Sequence, residues 1–227
     1  MGKKERIEKL KKYVQETMDC PGHNIDHVLR VYNLCLHLSK GERIDHEVLE
    51  AATLLHDIGG LKETQDKTGK TDHAVESSKM ALSILKKLGF DQDKIKYIQD
   101  CIVSHRYKTD NKPKTLEAKL LFDADKLDAL GAIGVARHFV WVGKNNANIY
   151  RKIEGIDKYL KENMTGGKIG GRIIDKSKHS PQLEYEIKIK HIINKLHTAK
   201  AKKIAKERLK FFEDFLDRLE KEVQGKI

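Results

Sequence analysis

Apolar residues recur at three- and four-residue intervals along almost the whole chain, the period of helices with one buried face. Residues 3–18 predict an amphipathic opening helix, which Pro21-Gly22 breaks. A second helix is expected from about Asn24 to Lys40, carrying Val28, Val31, Leu34, Cys35 and Leu38 on one side, with Gly41 as its stop. Asp45 suits the N-cap of a third, whose broad apolar face is Val48, Leu49, Ala52, Leu55 and Ile58. His56-Asp57 falls in its last turn, and Gly59-Gly60 ends it. Residues 61–70 (LKETQDKTGK) read as a polar loop.

Asp72 caps the next predicted helix, which runs to Leu88. Asp91 or Asp93 starts another, reaching His105-Arg106. After Pro113, Thr115 opens a helix holding Leu116, Leu120, Leu121 and Asp125, and the Gly/Ala-rich stretch LDALGAIGVARHFVWVG follows. Residues 143–181 predict a short helix at 150–163 and then a surface loop. The pairs Gly166-Gly167 and Gly170-Gly171 lack the preceding strand of a phosphate-binding loop. From Gln182 to Glu222 the period returns, with a break near Thr198. The expected fold class is all-α, since Val140-Trp141-Val142 is too short a run to argue for a sheet.

Composition narrows the class. Of 227 residues, 39% are hydrophobic and 35% charged. No apolar run approaches the roughly 20 residues that cross a bilayer. The opening MGKKERIEKLKKYVQETM has no apolar h-region, and Arg6 stands where myristoylation wants Ser or Thr, so a cytoplasmic protein is expected. Cys20, Cys35 and Cys101 form no CxxC pair, which argues against a disulfide framework and a thiolate zinc site. The net charge of +11 invites a nucleic-acid partner, but lysine is interleaved with glutamate and aromatics are only 6%. The same field would draw in small phosphorylated molecules.

Candidate chemistry lies in His27, His56, Asp57 and Asp125, each placed where a helix is expected to begin or end. On a regular helix, the side chains of His56 and Asp57 point roughly 100° apart. At a helix end both can reach one ion. Imidazole and carboxylate without thiolate suit Mn, Fe, Co, Ni, Zn or Mg. Such an ion lowers the pKa of a bound water and neutralises charge on phosphoryl oxygens. Lys62, Arg106 and Lys126 are the candidate cations beside it.

The segments GHNIDHVLRVY, LLHDIGG and DADKLDALGAIGVAR resemble the HD-domain superfamily of metal-dependent phosphohydrolases, whose pattern is H…HD…D on a helical bundle. The resemblance implies that His27, His56, Asp57 and Asp125 are the metal ligands. The tail KLHTAKAKKIAKERLKFFEDFLDRLEKE is similar to the C-terminal helix of stand-alone HD hydrolases, a subgroup that includes nucleoside-triphosphate diphosphatases. This implies one HD domain over residues 1–227, with a catalytic core at about 20–142, a loop-rich segment at 143–181 and a C-terminal helical extension at 182–227.

Further positions carry two readings each. His23 could face the cleft or cap its helix, and Arg30 could meet a phosphate or form a salt bridge. His73 and His105 match the extra histidines of binuclear family members; substrate contact or support of the ligands is the other reading, and the one favoured. Asp128 could act as general base or end a helix in a salt bridge. Glu63 and Glu76 are poorer candidates for that base. The chain lacks a GYP signature, has HDIGG in place of the Glu-Asp that follows His-Asp in alarmone hydrolases, and lacks the acidic pattern of the 5′-nucleotidase branch. The expected activity is therefore hydrolysis of a nucleotide di- or triphosphate, with splitting of a triphosphate into monophosphate and pyrophosphate as its finer form. Phosphomonoesterase or phosphodiesterase activity, or a non-catalytic nucleotide- or nucleic-acid-binding module, stand as alternatives, and an oligomer is compatible with the sequence.

Overall fold

The structure is a computed structural model that describes residues 1–18, 25–106 and 111–227. His23, and with it the predicted break at Pro21-Gly22, lies outside the described residues. The described residues are helical apart from turns and one bridge between Met164 and Ile173. No described helix is long and apolar enough to cross a membrane. The chain divides into two compact units, Met1–Asp125 and Lys126–Ile227.

The first unit holds α1 (Lys3–Thr17), α2 (Ile25–Leu38), α3 (His46–Leu55), α4 (Gly60–Gln65), α5 (His73–Lys87), α6 (Gln92–Val103) and most of α7 (Leu116–Leu127). Its centre is α3, which α1, α2, α5 and α6 contact. From Ala51 to Leu55 every residue of α3 is buried, which is why the segment reads as apolar on nearly all sides. Asp45 caps it, accepting from Glu47 N–H at 3.0 Å. Charged pairs then tie the neighbours to its start. Buried Glu47 takes Arg6 of α1 on Oε1 at 2.6 Å and Lys94 of α6 on Oε2 at 2.8 Å. Glu117 of α7 accepts Asp45 N–H at 2.8 Å and also the Tyr97 hydroxyl.

Two sequence expectations change here. The helix stops at Leu55, three residues before the Ile58 that the pattern predicts: His56 keeps helical angles as the C-cap, and Asp57 sits in a tighter turn closed by Gly60 N–H to Asp57 O at 2.9 Å. The expected loop at 61–70 begins as helix α4, because the chain re-enters helix at Gly60 as soon as that turn closes. Gly59 is needed for close approach more than for stopping a helix. A Cβ there would lie 2.7 Å from Ser77 N and 2.8 Å from His73 O, and its N–H donates to Ser77 Oγ at 2.9 Å.

The second unit holds α8 (Gly131–Lys144), α9 (Ile156–Asn163), α10 (Pro181–Ile187) and α11 (Ala199–Val223), with a 3-10 turn over Ile189–Lys195. Thr198 caps α11 by accepting from Ala201 N–H at 3.3 Å, where the periodic pattern predicts a break. Residues 143–181 are more ordered than the loop expected from their sequence. Tyr159, Leu160 and Met164 pack with Leu183 and Ile187 into a small apolar cluster of their own. The expected helix at 150–163 starts only at Ile156.

Beneath α8 lies a buried polar group. His179 accepts or donates at both ring nitrogens, to the Tyr159 hydroxyl at 2.6 Å and to Glu184 Oε2 at 3.1 Å. Lys188 meets the other Glu184 oxygen at 2.8 Å, and His138 Nε2 stands 4.0 Å from it. Burial alone would raise the Glu184 carboxyl, yet Lys188 and His179 outweigh it and hold it well below the usual range. Burial also lowers the His138 imidazole, against the pull of Glu184.

Two predictions follow from these contacts. Gly59→Ala should destabilise the protein by about 1–3 kcal/mol, the usual cost of overpacking a tight contact, measured by urea denaturation. For Glu184 and His138 alike, the unfolded chain binds protons more readily than the folded one, so stability falls as pH falls. Glu184→Gln should cost about 1–3 kcal/mol near pH 7. The gap to wild type should narrow as pH drops below about 4.5, the unfolded carboxyl range. A gap independent of pH in thermal melts would refute that assignment.

Candidate metal centre

The buried turn after α3 brings two side chains to the middle of the first unit. His56 is wholly buried and Asp57 is 4% exposed. Around them stand His27 from the first turn of α2, His73 from the first residue of α5, His105 just past α6, and Asp125 near the end of α7. The imidazoles follow one another in a chain, with centroids 5.4 Å apart for His27 and His56, 5.0 Å for His56 and His105, and 5.2 Å for His105 and His73.

Asp57 faces both ends of that chain. Its Oδ2 lies 3.5 Å from His27 Nε2 and 3.7 Å from His56 Nε2. Its Oδ1 lies 3.4 Å from His73 Nε2 and 3.5 Å from His105 Nε2. Asp125 joins through His27, whose Nε2 is 3.4 Å from Asp125 Oδ1. Among the described residues, two groups have donor atoms within 4.8 Å of one another, namely His27, His56 and Asp57, and Asp57, His73 and His105.

Backbone geometry prepares these rings to be ligands. His56 Nδ1 donates to Thr53 O at 2.7 Å, and His105 Nδ1 donates to Ile102 O at 2.6 Å. Each bond puts the proton of the neutral ring on Nδ1 and leaves a lone pair on Nε2, as in metal-bound histidines. His56 Nε2 is buried and has no hydrogen-bond partner. Burial holds the His56 imidazole down to about 4, with Asp57 opposing, so it is neutral at physiological pH. Burial lowers His73 as well, again against Asp57. A buried acceptor without a donor is costly. A divalent cation satisfies it, and the imidazole–carboxylate set fits such a cation.

The other sequence candidates are placed as follows. Arg106 bonds Glu63 at 2.7 Å and Asp72 at 3.0 Å. Lys62 is exposed and meets Glu76 at 3.1 Å. Arg30 lies on α2 three residues past His27 and is half-buried, as is Lys126 next to Asp125. Asp128 is 1% exposed, and its carboxylate accepts from Arg137 at 2.6 Å. The sequence reading set Glu63 aside, but the structure places its Oε2 on His73 Nδ1. Helix α4 is too short and polar to show a period, so nothing in the pattern signalled which way Glu63 points.

Comparison with known proteins gives these features a lineage. The HD domain family matches residues 24–130, a span that contains every residue of the cluster. Bacillus subtilis YpgQ is 24% identical over 97% of this chain and 95% of its own length. The crystal structure of YpgQ in complex with ADP superposes with a TM-score of 0.70 at 23% identity, covering 98% of this chain and 97% of that one. An HD-superfamily hydrolase from Bacillus thuringiensis superposes with a TM-score of 0.69 at 27% identity, over 98% of this chain and 99% of that one. A 3′-5′ exoribonuclease, YhaM of Bacillus pumilus, is 32% identical over 53% of this chain and 46% of its own length. Residues 24–130 are thus an HD domain, and the histidine–aspartate cluster within them lies in a helical fold shared with an HD-superfamily hydrolase.

Proposed function

We propose that this chain is a metal-dependent phosphohydrolase acting on a nucleotide or a related phosphate ester at the cluster around Asp57. The observation that carries the reading is His56 Nε2, a buried acceptor with no hydrogen-bond partner beside Asp57 and His27. A divalent cation bound there would supply Lewis acidity toward a phosphoryl oxygen and acidify a water. His27, His56, Asp57 and Asp125 are the residues we assign to hold it. The two-sided approach to Asp57 supports a second cation between His73 and His105. The donor set is compatible with Mn, Fe, Co, Ni, Zn or Mg.

The protein's own contribution is positional and electrostatic. The Thr53 carbonyl keeps the His56 ring in one tautomer, and burial keeps water from screening the charges. Arg30, Lys62, Arg106 and Lys126 are the cations we assign to substrate phosphates, with His23 as a further candidate. Asp128 serves as a base only if it parts from Arg137. We assign the whole chain to one HD domain, with residues 182–227 as its C-terminal helical extension.

Two observations bear on the substrate. YpgQ, similar over its full length, was crystallised with ADP, which supports a nucleotide here. Release of pyrophosphate from a nucleoside triphosphate is the finer form of the proposal. The likeness to YhaM over about half the chain favours phosphodiester cleavage as the second reading.

The test is a panel of nucleoside triphosphates, monophosphates and phosphodiesters assayed with each divalent ion. Pyrophosphate from a triphosphate is the expected product, diester cleavage alone would favour the second reading, and no turnover with any ion would overturn both. Chelation should abolish activity, and adding the ion back should restore it. His56→Ala and Asp57→Asn should each lose at least ~100-fold in activity, since even partners outside the coordination sphere typically cost about 10–100-fold. Their far-UV circular dichroism should match wild type. Wild-type turnover in either variant would refute the ligand assignment.

A further inference from the structure

Glu63 stands outside the ring of groups that face Asp57, yet it touches one of them. Its Oε2 accepts the Nδ1 proton of His73, and its Oε1 accepts from Arg106 Nη2 at 2.7 Å. Arg106 Nη1 also reaches Asp72 Oδ1 at 3.0 Å, the oxygen that caps α5 by accepting from Ala74 N–H at 2.9 Å. One planar guanidinium thus bridges two carboxylates and joins α4 and the start of α5 to the residue after His105.

The consequence lies across the ring. A neutral imidazole has one proton, and the bond to Glu63 keeps it on Nδ1. His73 Nε2 then presents a lone pair to His105 Nε2 at 3.2 Å and to Asp57 Oδ1 at 3.4 Å. His105 donates its own Nδ1–H to Ile102 O, so the Nε2 of its neutral ring carries a lone pair as well. In this state, acceptors converge from His73, His105 and Asp57 with no proton from either ring between them, an arrangement that a bound cation makes favourable. In the other tautomer, His73 Nε2–H would donate to His105 Nε2, and the pair would close on itself without a cation. Glu63 therefore decides between a self-satisfied histidine pair and one open to a metal.

We propose that Glu63, clamped by Arg106, is a positioning residue that selects the cation-accepting tautomer of His73. The inference rests on the two-cation reading above and extends it to a residue that touches neither ion nor substrate. Loss of Glu63 should weaken the ion at His73 and His105 by about 10–100-fold, as is typical for partners behind a ligating histidine. The ion at His27, His56 and Asp57 should be unaffected.

Two measurements on the full chain test this. The first is long-range proton–nitrogen correlation spectroscopy on metal-free protein, which reads the tautomer directly. Wild-type His73 should be protonated at Nδ1, and Glu63→Ala should move the proton to Nε2. The second is manganese titration by calorimetry. Wild type should bind two ions, Glu63→Ala should weaken one of them selectively, and Glu63→Gln should fall between, because its amide oxygen still accepts. An unchanged tautomer in Glu63→Ala, unchanged affinity for both ions, or equal weakening of both would overturn the proposal. A single manganese in wild type would overturn the two-cation reading and this inference with it. The tautomer measurement tells the failures apart, since it needs no bound metal.

Discussion

Between Leu55 and Gly60 the chain turns inside the protein instead of at its surface, and the rest of the first unit is arranged around that turn. Every residue from Ala51 to Gly60 is buried. Buried backbone must find its hydrogen bonds within the protein. Here they come from Leu55 O, Asp57 O and the Ser77 hydroxyl. The last of these works because Gly59 has no side chain to hold α5 away. The contact sets the start of α5, and therefore His73, against Asp57.

A cluster of imidazoles and carboxylates in such a place is expensive for the fold. Desolvation works against every charge in it, and neutral rings are the outcome where burial is complete, as at His56. The surrounding structure offsets part of that cost with ordinary helix chemistry. Carbonyls of Thr53 and Ile102, near the ends of their helices, accept hydrogen bonds from the Nδ1–H groups of His56 and His105. Those same bonds turn the remaining nitrogens toward Asp57. At His73, which opens a helix, a side chain from α4 accepts the Nδ1–H and does the equivalent work. Ends of helices thus supply both the clustered side chains and the groups that orient them.

The second unit uses buried polar groups differently. Glu184, His179 and Tyr159 satisfy one another beneath α8, exposed Lys188 reaches the second Glu184 oxygen, and charge pairing there outweighs desolvation at Glu184. The Arg137–Asp128 pair is similarly closed, with Arg208 donating to the neighbouring Leu127 carbonyl at 2.7 Å. Such closed pairs hold helices in register. The cluster of the first unit is the contrasting case, with donor atoms left facing inward.

Much of this protein was legible without coordinates, because helical period, caps and a short motif are local signals. Asp45 and Asp72 cap helices where the sequence places them, Thr198 caps one where the sequence predicts a break, and His27, His56 and Asp57 are recognisable from their segments. What tertiary structure decided depends on close approach and direction, which a period of 3.6 residues does not encode. It moved Asp57 out of the helix and into the turn, made Gly59 a point of contact with α5, and turned the expected polar loop after Gly60 into the helix that carries Glu63. It also gathered His73 and His105 on the second face of Asp57. Side chains sixteen and forty-eight residues beyond Asp57 share its carboxylate only because three separate helices begin or end at one buried point.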